Sequence, residues 1–229
     1  MDTSGANIAE IKKLFEAGLH LGHKKNRLHP KARKFVYKID KGVSIIDLTQ
    51  TVVQLKKADK FLQDAGKEKK TLLIVATKKI AAGYVMRLAQ EHTISYITNK
   101  WLPGLLTNFE TIIKNVKKLE DLKAQKQDDT WEKLTKHERG KISKYIARLE
   151  RFYGGLTALT KRPDVLLVID VKKEHNAVVE AKKSAIPVVG ISDTNADPDQ
   201  IDYPIVANDD SPEAVEFLIQ RLLSSYVQS

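Results

Sequence analysis

Two stretches of this chain are apolar without a break, Leu72-Leu73-Ile74-Val75-Ala76 and Val165-Leu166-Leu167-Val168-Ile169, and a third, Ile186-Pro187-Val188-Val189-Gly190-Ile191, is nearly so. Each is too short for an ordinary helix and rich in β-branched residues or Leu, as a strand covered on both faces requires. The segment between the last two has helix length, so 162–191 predicts a strand, a helix and a buried parallel strand. Ile94-Ser95-Tyr96-Ile97 and Tyr203–Val206 predict shorter strands, and a helix follows 72–76 as far as Glu91. A final helix is predicted after Ser211-Pro212-Glu213, where Ser suits the cap and Pro the first turn. Strands that alternate with helices imply a parallel sheet covered by helices, hence an α/β fold.

Other stretches carry a helical period. Ile8, Ile11, Leu14 and Phe15 predict a short amphipathic helix ending near Gly18, with an outer side free to dock a partner. Val52, Val53, Leu55, Phe61 and Leu62 predict another that stops at Gly66. Phe109, Ile112, Ile113, Val116, Leu119 and Leu122 alternate three and four apart. So do Ile142, Tyr145, Leu149, Phe152 and Leu156, which makes two seams of heptad type. A charged segment, 123–141, separates them, so an antiparallel coiled-coil hairpin is predicted, with an arm of roughly 17 residues reaching about 25 Å. The organisation expected is a first part of the α/β domain over 1–104, the inserted hairpin over 105–156, and the second part of the α/β domain over 157–229. Phe35-Val36-Tyr37 and Val43-Ser44-Ile45-Ile46 predict two short strands around a turn at Lys41-Gly42. Residues 19–34 have neither period and are expected to form an ordered loop.

Charge sharpens this outline. Lys and Arg number 39 against 29 Asp and Glu, a formal net charge of +10, so a polyanion is the first partner to consider. From His20 to Lys41 there are eight Lys and Arg against Asp40 alone, whereas from Gly190 to Phe217 there are eight acids and no Lys or Arg. That asymmetry predicts two faces with different partners, the acidic one facing proteins. With no cysteine, a disulfide framework, a thiolate nucleophile and a Cys-based zinc site are excluded. The N-terminal residues lack the pattern of a signal peptide, and no apolar run approaches the roughly 20 residues of a membrane span, which predicts a cytosolic protein.

The local motifs decline an enzymatic reading. An open α/β sheet gathers ligands beyond the carboxyl ends of its strands, but no Gly-x-Gly-x-x-Gly and no Gly-x-x-x-x-Gly-Lys-Ser/Thr is present to cradle phosphates. Nor is there a Gly-x-Ser-x-Gly elbow. Thr77-Lys78-Lys79 at a strand end fits a nucleic-acid backbone or a solvated turn better than a nucleotide. Asp170, also at a strand end, is thin support for a phosphoacceptor. Asp193, Asn195 and Asp197 open like a calcium loop, but Pro198 stands where that loop requires Gly and Pro204 where it requires Glu. What remains is a weak divalent site using Asp193 with Asp209 or a nearby His, weighed against a loop tightened by its own hydrogen bonds. His20, His23 and His29 sit among cations that would repel a metal, so no metal and no cofactor are expected. The competing class is a nucleotide-binding enzyme or switch on the same sheet.

Nucleic acid is where the positive signs accumulate. Lys24, Lys25, Asn26, Arg27, His29, Lys31, Arg33 and Lys34 form the mixture that phosphate and sugar contacts on folded RNA require. Lys78 and Lys79 add two cations, and Thr98-Asn99-Lys100-Trp101 sets polar donors beside an aromatic face, with Asn108 following. Trp101 fits the core equally well.

Three motifs go beyond generic reasoning. Leu14-Phe15-Glu16-Ala17-Gly18-Leu19-His20-Leu21-Gly22-His23, with Asn26 and Pro30, resembles the N-terminal signature of the small-subunit ribosomal protein two family. Asn99-Lys100-Trp101-Leu102-Pro103-Gly104-Leu105-Leu106-Thr107-Asn108-Phe109 resembles its second. Pro163-Asp164 through Glu174-His175, Glu180-Ala181, Ile186-Pro187 and Asp193-Thr194-Asn195-Ala196-Asp197-Pro198 resemble its third. The resemblance runs in order from about Ile11 to Leu222. It implies a flavodoxin-like three-layer fold with a parallel sheet of about five strands and an inserted antiparallel coiled coil. It also implies a non-enzymatic role in translation: binding small-subunit ribosomal RNA and neighbouring ribosomal proteins, including the mRNA-binding ribosomal protein one, with neither a membrane nor a small-molecule substrate involved.

Overall fold

The computed structural model describes residues 3–128 and 131–228. Its centre is a five-stranded parallel sheet of β4 (Leu72–Val75), β5 (Ser95–Ile97), β6 (Val165–Ile169), β7 (Val188–Ser192) and β8 (Tyr203–Val206), in the order β5-β4-β6-β7-β8. Counted within the sheet alone, that order is 2-1-3-4-5, the flavodoxin-like arrangement. All five predicted strands are present.

Alternation along the strands explains why the sheet is apolar throughout. Leu72 and Ile74 of β4, Val165, Leu167 and Ile169 of β6, and Val189 and Ile191 of β7 enter one core. That core lies beneath α1 (Thr3–Glu16), α2 (Leu48–Lys67), α3 (Lys79–Glu91) and α7 (Pro212–Val227). The intervening Leu73, Val75, Leu166, Val168 and Val188 enter a second core with Trp101, Leu105, Leu106, Ile112 and Val178. Here α6 (His175–Lys183) and the base of α4 (Phe109–Gln125) supply the cover. Two cores on opposite faces of one sheet require strands with no polar face. A fully buried Leu or Val contributes about 1.5–3 kcal/mol by leaving water.

Helix ends follow their local chemistry. Asp47 accepts a hydrogen bond from Thr49 N–H (3.0 Å) at the start of α2, and Ser211 caps α7 ahead of Pro212. Between β5 and β6 the chain forms α4 and α5 (Lys136–Tyr153), which pack on each other through Leu119, Ile146 and Leu149. α5 begins within the segment expected to separate the seams, because Thr135 and Glu138 form a reciprocal capping box. The Thr-x-x-Glu spacing at 135–138 was the available signal. At the foot of the pair, a Cβ on Gly155 would lie 2.2 Å from the Tyr96 carbonyl oxygen, so only glycine lets the returning chain pass β5.

Ahead of α2 stands a second, antiparallel sheet of β1 (Leu21–Lys24), β2 (Val36–Asp40) and β3 (Val43–Ile46), ordered β1-β3-β2. β2 and β3 match the predicted pair. Lys41 and Gly42 both take positive φ (45° and 82°), the conformation of a two-residue hairpin turn. The segment expected to be loop is more ordered than its sequence implies: β1 pairs with β3, and short 3-10 helices span Lys25–Arg27 and Pro30–Phe35. Its pattern is illegible because β1 has one partner strand and little core of its own.

Candidate nucleic-acid interface

The basic segment is anchored to the sheet by the acidic loop after β7. His23 N–H donates to Thr194 Oγ1 (3.0 Å), and His23 Nδ1 meets Asp193 Oδ2 at 2.7 Å. His29 N–H donates to the Thr194 carbonyl (2.8 Å), while Lys31 and Lys34 reach Asp197 and Asp199 at 2.8 and 2.9 Å. Gly22 makes the close approach possible: a Cβ there would fall 2.7 Å from Thr194 Cγ2. The motif at 14–23 and the motif at 193–198, far apart in sequence, are therefore two halves of one joint.

Electrostatics reinforce it. The hydrogen bond to Asp193 raises the His23 pKa above its ordinary value against the effect of burial, with Asp193, Asp210 and Asp209 adding charge attraction. Partial burial pushes Asp197 up, but Lys31 and the Asp199 N–H outweigh it and hold the carboxyl below its usual range. Asn195 Nδ2 lies 2.8 Å from His23 Nε2, and Asp210 lies 3.5 Å from the same nitrogen.

A second knot closes the carboxyl ends of the strands. Lys78 Nζ lies 2.6 Å from Asp209, 2.7 Å from Asp210 and 3.3 Å from Asp170, with the Asp209 side chain 2% exposed. Burial alone would lower the Lys78 pKa, but these carboxylates raise it. Burial pushes Asp209 up to about 7, helped by the charges of Asp170 and Asp193 and opposed by Lys78. Beside this knot, buried Glu174 accepts from both the N–H and the hydroxyl of Thr77, while Lys173 Nζ donates to the Thr77 carbonyl (2.9 Å). The crevice between β4 and β6, where this topology changes direction, is thus lined by the chain's own paired side chains.

Of the eight acids between Gly190 and Phe217, Asp193, Asp197, Asp199, Asp209 and Asp210 face the chain's own His23, Lys31, Lys34 and Lys78. The expected division into a basic and an acidic face is largely an internal pairing. Asp193 does gather possible metal ligands, the nearby His23 together with Asp210, whose donor atoms lie within 4.8 Å of one another, while Asp209 and Asp210 are both also engaged by Lys78. An ion there would have to displace the His23 to Asp193 hydrogen bond.

The structure sorts the sequence-predicted cations into two groups. Lys31, Lys34 and Lys78 are paired with carboxylates. Lys24, Lys25 and Arg33 are exposed and make no ion pair among the described residues; Lys79 and Lys100 are also exposed. Arg27 makes no direct pair either, although its charge helps to hold the Asp210 carboxyl low. Gly22, His23, Lys24, Asn26, Arg27, Val43 and Asp210 line an open cleft of about 390 Å³. His29 accepts from Lys31 N–H at the start of the second 3-10 helix.

The 99–108 turn resolves differently. Trp101 is 5% exposed and donates through Nε1 to Glu180 (3.0 Å), which also accepts from the N–H groups of Gly104 and Leu106. Trp101 is a core residue, and Glu180 of α6 is the clamp of this loop that sequence reasoning missed. Asn99 is exposed and donates to the Arg151 carbonyl (2.6 Å), and exposed Asn108 accepts from the Thr111 hydroxyl ahead of α4. Among the described residues, no helix is long and apolar enough to cross a membrane.

Comparison with known proteins agrees with this geometry. The family model described as ribosomal protein S2 matches residues 14–229, which includes both halves of the joint. The small ribosomal subunit protein uS2 of Coprothermobacter proteolyticus is 39% identical over 221 residues, covering 96% of this chain and 82% of that protein. A flavodoxin-like sheet, the three motifs and a match over nearly the whole length lead to one conclusion: the chain belongs to the ribosomal protein S2 family, and so to the structural proteins of the small ribosomal subunit that serve translation.

Proposed function

We propose that the protein binds small-subunit ribosomal RNA through the outward cations of the 20–41 segment, using the sheet as a rigid mount. One observation carries this reading: Lys24, Lys25 and Arg33 are exposed without an ion pair among the described residues, while their neighbours Lys31 and Lys34, also exposed, are paired with Asp197 and Asp199 of the acidic loop after β7. A cation held by a carboxylate is already compensated, whereas an exposed one gains by displacing the counterions condensed on RNA. Asn26 and Arg27 line the cleft beside them, and Lys79, Asn99, Lys100 and Asn108 offer further polar contacts. Lys31, Lys34, Lys78, His29 and Trp101 act as supports.

Residues 1–104 and 157–229 make up the α/β body, and 105–156 an antiparallel coiled-coil hairpin carried on it, a reading supported by the Leu119, Ile146 and Leu149 seam. Neighbouring ribosomal proteins, including the mRNA-binding ribosomal protein one, meet the outer side of α1, where Ile8 and Phe15 are exposed.

The test is binding of the full chain to small-subunit ribosomal RNA over a salt series. Replacing Lys24, Lys25, Arg27 and Arg33 together by Ala is expected to flatten the dependence of log affinity on log salt by about 0.7–0.9 for each phosphate no longer neutralised. Replacing Lys31 and Lys34 should leave that slope nearly unchanged. Equal slopes for all three proteins would refute the assignment.

A further inference from the structure

Tyr37 stands apart from every other aromatic residue of the chain. It is 73% exposed, and no hydrogen bond, ion pair or ring contact involves it among the described residues. An isolated aromatic is not by itself a site. Its position on the strand, however, is built. Between the pairs Val36↔Ile46 and Lys38↔Ile45 the register of β2 against β3 shifts, so β2 carries one extra residue at Tyr37. A bulge of this kind re-aims a side chain and twists the strand locally. β2 is also an edge, since β3 is its only partner in the sheet order.

The surroundings are cationic. Arg33 lies on the 3-10 helix that leads directly into β2, Lys38 follows Tyr37, and Lys41 forms the hairpin turn. All three are exposed and make no ion pair among the described residues, and the single acid from Arg33 to Lys41 is Asp40. A protein-docking strand would present a continuous apolar row, whereas here charged side chains interrupt it. A duplex backbone would use the cations and leave the ring idle. An unpaired nucleotide uses both, because its base stacks on an aromatic face and its phosphates meet Lys or Arg.

We propose that the bulged edge strand β2 is a stacking site for an unpaired nucleotide of the RNA, with Tyr37 as the platform and Arg33, Lys38 and Lys41 contacting the flanking phosphates. This rests on the RNA-binding reading above and adds to it a chemical class of ligand, a single-stranded loop or bulge. It also predicts that the contact is tolerant of base identity, since every base has a stacking face.

The experiment measures affinity of the full-length protein for small-subunit ribosomal RNA, with Tyr37→Ala, Tyr37→Phe and Tyr37→Trp compared over a salt series. Tyr37→Ala is expected to weaken binding by about 5- to 150-fold, the loss of one stacked base, with the salt slope unchanged because no charge is removed. Tyr37→Phe and Tyr37→Trp should stay within about 3-fold of the native protein, since both keep a stacking face. The melting temperature should move little in any of them, because the side chain is 73% exposed. Native affinity in Tyr37→Ala, alongside a loss when Lys24, Lys25, Arg27 and Arg33 are replaced, would overturn the stacking site and leave the RNA reading standing. If neither variant lost affinity, the RNA reading itself would fall. A loss as large in Tyr37→Phe as in Tyr37→Ala would assign the contact to the hydroxyl and overturn stacking. Impaired incorporation into subunits at native RNA affinity would assign Tyr37 to a protein neighbour, against the proposal.

Discussion

Lys78 offers the sharpest test of the internal joint, because its position at a strand end suits an RNA contact while its geometry suits a strut. Lys78→Met keeps the aliphatic stem and removes the charge. It leaves Asp209, Asp170 and Asp210 facing one another, and the Asp209 side chain is 2% exposed. Removing one partner of a buried ion pair costs about 3–5 kcal/mol. The Lys78 side chain keeps 17% exposure and that of Asp210 is open to solvent, so a value of about 3 kcal/mol is expected at pH 8. For a chain of this size that corresponds to a drop in melting temperature of about 6–12 °C.

The pH dependence separates this mechanism from simple loss of packing. The folded-state pKa of Asp209, about 7, lies above the roughly 3.9 of an unfolded Asp. Such a group contributes stability in full below the unfolded value and loses it as pH rises through the folded one. In the native protein Asp209 is therefore largely neutral at pH 5.5, and Lys78 compensates less charge there. The penalty of Lys78→Met should fall to under half its pH 8 value. Urea unfolding at the two pH values, with an unchanged dependence on denaturant, measures it. A penalty below about 1 kcal/mol at pH 8, or one equal at both pH values, would refute the strut.

Three further outcomes follow from the same geometry. His23, with its pKa raised in the fold, stabilises the joint fully below about 6.5 and loses that contribution as pH rises through its folded value; the margin of native protein over His23→Gln in thermal unfolding should shrink in that direction, and a margin independent of pH would count against the ion pair. Gly155→Ala forces a methyl group onto the Tyr96 carbonyl and is expected to cost at least about 2 kcal/mol in urea unfolding. Leu119→Ala empties a buried position between α4 and α5 at a cost of about 2–5 kcal/mol, and hydrogen exchange should show faster amides in those helices while β4 and β6 keep their protection.

Much was determined by sequence alone, and the reason is local. The apolar runs 72–76 and 165–169 have no polar face, which fits only a strand covered on both sides. The seam at 109–122 repeats at a helical period, whereas the facing seam of α5 runs through Ile142, Ile146, Leu149 and Tyr153 instead of the expected Tyr145, which is exposed, and Phe152; the Lys41-Gly42 turn supplies its own hairpin chemistry. The motifs at 14–23, 99–109 and 193–198 carried the family. Tertiary structure alone decided which charges are available. Lys31 and Arg33 are near neighbours with the same charge, yet one meets Asp197 and the other faces water, because a loop more than 160 residues away folds back onto one side of the segment. Trp101 went to the core because Glu180, across the second core, satisfies its N–H. Tyr37 became prominent only through a one-residue slip between β2 and β3. Periodicity records which face of an element is buried; the partner a charged or aromatic side chain meets depends on chain segments that local pattern does not connect.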